Sequence, residues 1–329
     1  MRDALLEVED LHVEFRTRRG VVNAVNGVSY TLDRGETLAI LGESGSGKSV
    51  SAQALIGIID SPPGFVTQGA LRLHGKDLLR MGERERRAVR GEQIAMIFQD
   101  ALSALHPVRS VGWQIAEMYR VHRGTPKREA RDKAVELMER VGIPSARQRV
   151  DDYPHQFSGG MRQRVMIAMA LALDPAVLIA DEPTTALDVT VQAQVMDLLA
   201  QLQRETGMGL ILITHDLGVA AGVADRLAVM YAGRIVETGP VRDLYRNPAH
   251  PYTRGLMASI PRPDRPGRLT PVAGAPPSLA RIPSGCPFHP RCPYRRGRDV
   301  CAQDCPPLQR VGDGHGSACH FWEEVLGEQ

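Results

Sequence analysis

Residues 37–57 read TLAILGESGSGKSVSAQALIG. The first five suit a short buried strand, the glycine-rich stretch that follows is a turn, and the remainder spaces its apolar residues as a helix does. The pattern Gly42-x-x-x-x-Gly47-Lys48-Ser49 is that of a phosphate-binding loop. Gly42, Gly45 and Gly47 let successive backbone N–H groups turn inward, so that with Glu43, Ser44 and Ser46 they form an anion cradle. The positive end of the following helix adds to its field. Lys48 is expected to reach the β- and γ-phosphates of a nucleotide, and the Ser49 hydroxyl to ligate Mg²⁺.

A second stretch, PAVLIADEPTTALD (175–188), fits this reading. An apolar strand ending in Asp181 places a carboxylate at the C-terminal end of a parallel sheet, where ligands of open α/β folds sit. Asp181 is expected to hold Mg²⁺ through water, and Glu182 to orient or deprotonate the attacking water. The strand in GMGLILITHDL (207–217) ends at His215, a residue able to sense a γ-phosphate by hydrogen bonding.

The 329 residues suffice for one large core plus an appendage. The formal charge is only +2, and basic residues alternate with acidic ones, as in GERERRAVRGEQ (82–93). That argues against nucleic acid as a partner and makes Arg84, Arg86, Arg87 and Arg90 a solvated helix face. The opening MRDALLEVEDLHVEF lacks the order of a secretory signal. The longest apolar run, VMIAMALAL (165–173), is about half of what spans a bilayer. The expected compartment is the cytosol, where thiols stay reduced.

Between the two halves lies HQFSGGMRQRVMIAMALALDP (155–175), whose Phe157-Ser158-Gly159-Gly160-Met161-Arg162-Gln163 resembles the signature motif of ATP-binding cassette ATPases. Gln99 in MIFQD matches that family's Q-loop, Ala186-Leu187-Asp188 its D-loop and His215 its switch histidine. The resemblance implies an α/β P-loop fold with a RecA-like core, an antiparallel β subdomain and a helical subdomain at about 101–165. Within that subdomain, KREARDKAVELMERVGI (127–143) sets Ala130, Ala134, Leu137, Met138 and Val141 on one helical face. The resemblance further implies ATP hydrolysis involving Glu182, Gln99 and His215, with Ser49, Gln99 and Asp181 serving Mg²⁺. Two such subunits would pack head to tail, so that Ser158, Gly159, Gly160, Gln163 and Asp188 serve the partner's ATP. Phe15 is the candidate adenine-stacking residue, with the arginines of RTRR (16–19) as the alternative. Ala101 follows Gln99-Asp100, a departure from the family's common proline-containing loop.

DEPTTALDVTVQAQVMDLL (181–199) and YAGRIVETGPVRDLYRNPAHPYTRGLMASIP (231–261) resemble the ATPases of oligopeptide and dipeptide importers. This divides the chain into a nucleotide-binding domain, 1–250, and an importer-type extension, 251–329. It implies a peripheral protein at the cytoplasmic face of the membrane. Its partners would be two membrane-spanning permease subunits, a second ATPase subunit and an extracytoplasmic solute-binding protein. Peptides are the expected cargo; the alternatives are nickel or another small solute, or a cassette ATPase outside transport.

From Pro261 onward stand 12 of the 23 prolines, so turns and loops are expected there. All five cysteines lie in this tail, spaced Cys286-x5-Cys292-x8-Cys301-x3-Cys305-x13-Cys319. A loop-rich tail buries little core, and reducing conditions leave a metal as the expected staple. The order of the cysteines resembles importer tails that carry a [4Fe–4S] cluster, which implies Cys286, Cys292, Cys301 and Cys319 as ligands, with Cys305 as alternate and Zn²⁺ as the alternative metal.

Overall fold

The computed structural model describes residues 4–185, 187–259 and 272–327. Ala186 of the D-loop and the start of the proline-rich tail, 260–271, lie outside them. In chain order the strands are β1 (Leu6–Thr17), β2 (Gly20–Leu32), β3 (Thr37–Leu41), β4 (Gly64–Leu73), β5 (Lys76–Asp77), β6 (Ile94–Ile97), β7 (Val177–Asp181), β8 (Gly209–Thr214), β9 (Arg226–Tyr231), β10 (Arg234–Pro240), β11 (Gln309–Gly312) and β12 (His315–Ser317). They fall into two compact units.

One unit is built mainly of Arg80–Ile213. Its strands run in the order β8-β7-β6, with β7 parallel to both neighbours and Ile179 opposite Met96 and Ile211. These strands are buried end to end, as their unbroken apolar sequences require of parallel strands. The helical segment comprises Ala101–Ala104, Val111–Arg123, Lys127–Arg140, Ala146–Arg149 and Gly159–Leu171. Ser110 caps the second of these by accepting from the Trp113 N–H, and Gly124 ends it in the left-handed conformation. The third buries Ala130, Ala134, Leu137 and Met138, and Val141 beyond its end is fully buried, as the spacing anticipates. The helix Glu83–Val89 has no buried residue, and Glu83 pairs with Arg87 at 3.2 Å and Arg90 at 3.0 Å, a solvated face.

The other unit holds Leu6–Thr31, Thr37–Leu79 and the chain from Thr214 onward. One sheet, β2-β1-β4-β5, pairs β1 antiparallel to β4; Leu6, Val8, Leu11 and Val13 face inward, with an irregularity between Glu9 and Val13. The unit's second set of strands runs β11-β12-β10-β9-β3. Here β3 lies parallel to β9, while β9 and β10 form a hairpin whose two turn residues, Ala232 and Gly233, both have positive φ, as tight hairpins require. The tail, expected to hold turns and loops and no long element, also forms two short strands: β12 pairs with β10 (Glu237 opposite Ser317), and β11 lies beside it. The prolines stop at Pro307, so the backbone donors needed for pairing are present from there on. Among the described residues, no helix is long and apolar enough to cross a membrane.

Candidate functional site

The phosphate loop joins β3 to the helix Lys48–Ile56. Gly47 precedes that helix with φ +102, and a Cβ there would lie 2.3 Å from the Ala24 carbonyl oxygen, so only glycine fits. The Lys48 ammonium donates to the carbonyls of Gly42 at 2.7 Å and Glu43 at 3.2 Å, which curls the loop around its own lysine. Ser46 is 5% exposed, and its hydroxyl has no protein partner among the described residues. A buried hydroxyl of this kind inside a ring of amides fits an oxyanion ligand. Phe15 lies half-buried on β1 opposite Gly64, while the Arg16 guanidinium sits 4.5 Å over the Phe65 ring. His215 follows β8 and is exposed; the next residue, Asp216, caps the helix Leu217–Val223.

In the other unit, β7 ends in Asp181, which is 4% exposed. Glu182 then turns out of the strand with φ +46, a conformation that is costly for a residue with a Cβ, and its N–H donates to the Ile213 carbonyl. Its carboxylate accepts from the Gln99 amide and from the Thr185 hydroxyl, each at 2.9 Å on the same oxygen. Gln99 and Glu182 are therefore brought together. Thr185 is a further member that sequence reasoning missed, because nothing in a Thr-Thr pair singles out the second.

Ser158 and Asp188 are both helix caps: Ser158 accepts from the Met161 N–H at 3.3 Å and Asp188 from the Val191 N–H at 3.0 Å. Gly160 admits the Val191 side chain, which would stand 2.6 Å from a Cβ. Gln163, by contrast, is 4% exposed within its unit.

Cys286, Cys292, Cys301 and Cys319 line one cavity together with Phe288, Tyr294 and Phe321, whereas Cys305 is exposed. Burial and then their mutual repulsion push the thiols of Cys286 and Cys319 up to about 12, and burial raises those of Cys292 and Cys301 as well. Among the described residues, no three His, Cys, Asp or Glu side chains form a group able to hold a metal ion, so a metal-binding tail is not supported by the side-chain geometry. The tail has a protein staple that was not anticipated. Glu237, fully buried on β10, accepts from the N–H groups of Ala249 and His250 and from the His315 ring at 2.8 Å. A second unforeseen contact joins Arg291 to Glu43.

The description "ABC transporter" fits residues 25–185, and "Oligopeptide/dipeptide transporter, C-terminal region" fits residues 236–301. The oligopeptide transport ATP-binding protein OppD of Bacillus subtilis is 52% identical over 94% of this chain and 87% of its own length. The dipeptide transport ATP-binding protein DppD of the same organism is 50% identical over 98% and 96%. Among solved structures, the ATP-binding cassette MJ0796, a dimer in a post-hydrolysis state bound to ADP and Pi, matches with a TM-score of 0.65. It is 26% identical and covers 72% of this chain and 99% of its own.

Proposed function

The chain belongs to the ABC transporter ATPases, and we propose from this premise that it hydrolyses ATP to power import of di- and oligopeptides across the cytoplasmic membrane. The observation that carries the reading is the presence, on one chain, of a phosphate loop and of the C-terminal region of oligopeptide/dipeptide transporters. Relatives named for oligopeptide and dipeptide transport extend along nearly its whole length.

Residues 42–49 cradle the phosphates, with Lys48 countering their charge. Glu182 is the general base: Gln99 and Thr185 hold its carboxylate, which draws a proton from the attacking water. His215 senses the γ-phosphate, and Phe15 stacks on adenine. Ser49, Gln99 and Asp181 each carry an oxygen of the kind that Mg²⁺ takes, and would hold it. When bound, Mg²⁺ neutralises charge on the phosphate oxygens. Ser158, Gly159, Gly160 and Asp188 serve the ATP of a second ATPase subunit, a sister or a second copy, while Gln163, expected to join them, is too buried to reach it; the MJ0796 cassette is itself dimeric. Two permease subunits supply the channel, and an extracytoplasmic binding protein delivers the cargo.

Cys286, Cys292, Cys301 and Cys319 line one cavity, and four thiolates are the donor set of a [4Fe–4S] cluster. A [4Fe–4S] cluster on Cys286, Cys292, Cys301 and Cys319, when bound, would cross-link the tail. Protein purified without oxygen is expected to carry about four iron and four sulfide per chain. Cys305→Ser should keep them and Cys286→Ser should lose them; zinc alone, or no metal, would remove the cluster from the reading.

The function is tested by ATP-driven uptake of labelled di- and oligopeptides into vesicles holding the whole transporter. Glu182→Gln should lower ATP turnover at least about a hundredfold, the ordinary contribution of a general base. Unchanged turnover would remove Glu182 from that role. Uptake of a nickel chelate and not of peptide would move the cargo to the alternative.

A further inference from the structure

Glu43, the second residue of the phosphate loop, is held by the C-terminal segment at its backbone and its side chain. Its N–H donates to the Tyr252 hydroxyl at 2.9 Å, and its carboxylate takes two bonds from Arg291, at 2.7 and 3.0 Å. This fork is the strong, geometrically specific form of an ion pair. The Arg291 side chain is 6% exposed, donates also to the Tyr231 hydroxyl and the Ala273 carbonyl, and directly precedes Cys292 in the chain. Phe288, in the wall of the cysteine cavity, packs edge-on against Tyr231 at 5.3 Å and beside Tyr252 at 5.4 Å. Aromatic packing thus runs without a break from the thiols to the loop, inside one unit.

The charge at this place is unexpected. A carboxylate on the second residue of an anion cradle repels the phosphates that the cradle is built to receive. Arg291 cancels that charge and pins the carboxylate, while the Glu43 carbonyl accepts from Lys48 at 3.2 Å. We infer that Arg291 is a positioning residue for ATP: it neutralises Glu43 and fixes the start of the phosphate loop, and so links the fold of the cysteine-bearing tail to nucleotide occupancy. The inference rests on the ATP-binding reading above. By linkage, ATP must steady the tail as much as the tail favours ATP.

The test is the Kd of ATP in EDTA, measured by calorimetry on the full chain. Arg291→Ala should raise it roughly tenfold, within the usual span of coupling between linked sites. Adding Glu43→Gln to that variant should restore most of the loss, because no uncompensated charge remains; a role confined to holding the tail would gain nothing from the second change. Arg291→Lys, which keeps the charge, should lie between wild type and Arg291→Ala. Arg298→Ala, which removes a pair with Glu324 within the tail, should leave Kd within about twofold. Amide exchange at residues 286–303 should slow on adding ATP to wild type and not to Arg291→Ala.

An unchanged Kd in a folded Arg291→Ala chain, an equal effect of Arg298→Ala, or failure of Glu43→Gln to restore binding would each overturn the inference. Wild-type protein that binds no ATP would overturn the functional reading itself and the inference with it.

Discussion

The Gly47 backbone and the Glu182 carboxylate show how much of the chemistry hangs on single residues. Gly47→Ala must either move the Ala24 carbonyl or unwind the loop; with ~1–3 kcal/mol of strain, the expected loss of ATP affinity is about tenfold or more, read by nucleotide titration. Thr185→Val removes a donor to the Glu182 carboxylate, a bond worth about 1 kcal/mol, so kcat for ATP should fall several-fold with KM unchanged. Steady-state hydrolysis would show it, and a rise in KM alone would place Thr185 elsewhere. The loop, Asp181 and Glu182 stand out in the sequence because each lies in a short pattern with its own chemical reason, and Gln99 stands out through the family resemblance that names its loop. Arg291 is not, since its partner stands 248 residues away and arginine in a loop carries no mark of its destination.

At the scale of elements, the periodic segments declare themselves and the tail does not. The helix Lys127–Arg140 buries the face its spacing marks, and β6, β7 and β8 are the apolar runs that only a covered parallel sheet accommodates. The strand β12 is three residues, His-Gly-Ser, with no alternation to read, and it forms because β10 offers a partner. What stitches the two is Glu237, a fully buried acid on β10. Glu237→Ala would orphan two backbone N–H groups and the His315 ring, at a cost of about 3–5 kcal/mol, the usual range for breaking a buried pair. Denaturant unfolding should show this loss, and Glu237→Gln, which keeps an acceptor, should lose less. Equal stability of Glu237→Ala and wild type would mean that the tail is held by other means.

For the whole molecule, membership in a transporter family predicts attachment to the membrane through partner proteins. An alkaline carbonate wash without detergent should therefore release the chain from membranes while the permease subunits stay behind; retention would point to a direct lipid anchor. The two compact units interleave along the sequence, and the C-terminal segment belongs to the unit that holds the phosphate loop, an association that no linear reading of motifs could give. The hairpin of β11 and β12 has one further consequence. It covers the open flank of β10, and the new flank it presents is only Gln309–Gly312, with the exposed Arg310 in it. A short, charged border is a poor template for another chain, whereas the bared β10 would be a good one. A chain cut before the hairpin would thus be prone to sticking to its own copies, so the hairpin also guards solubility.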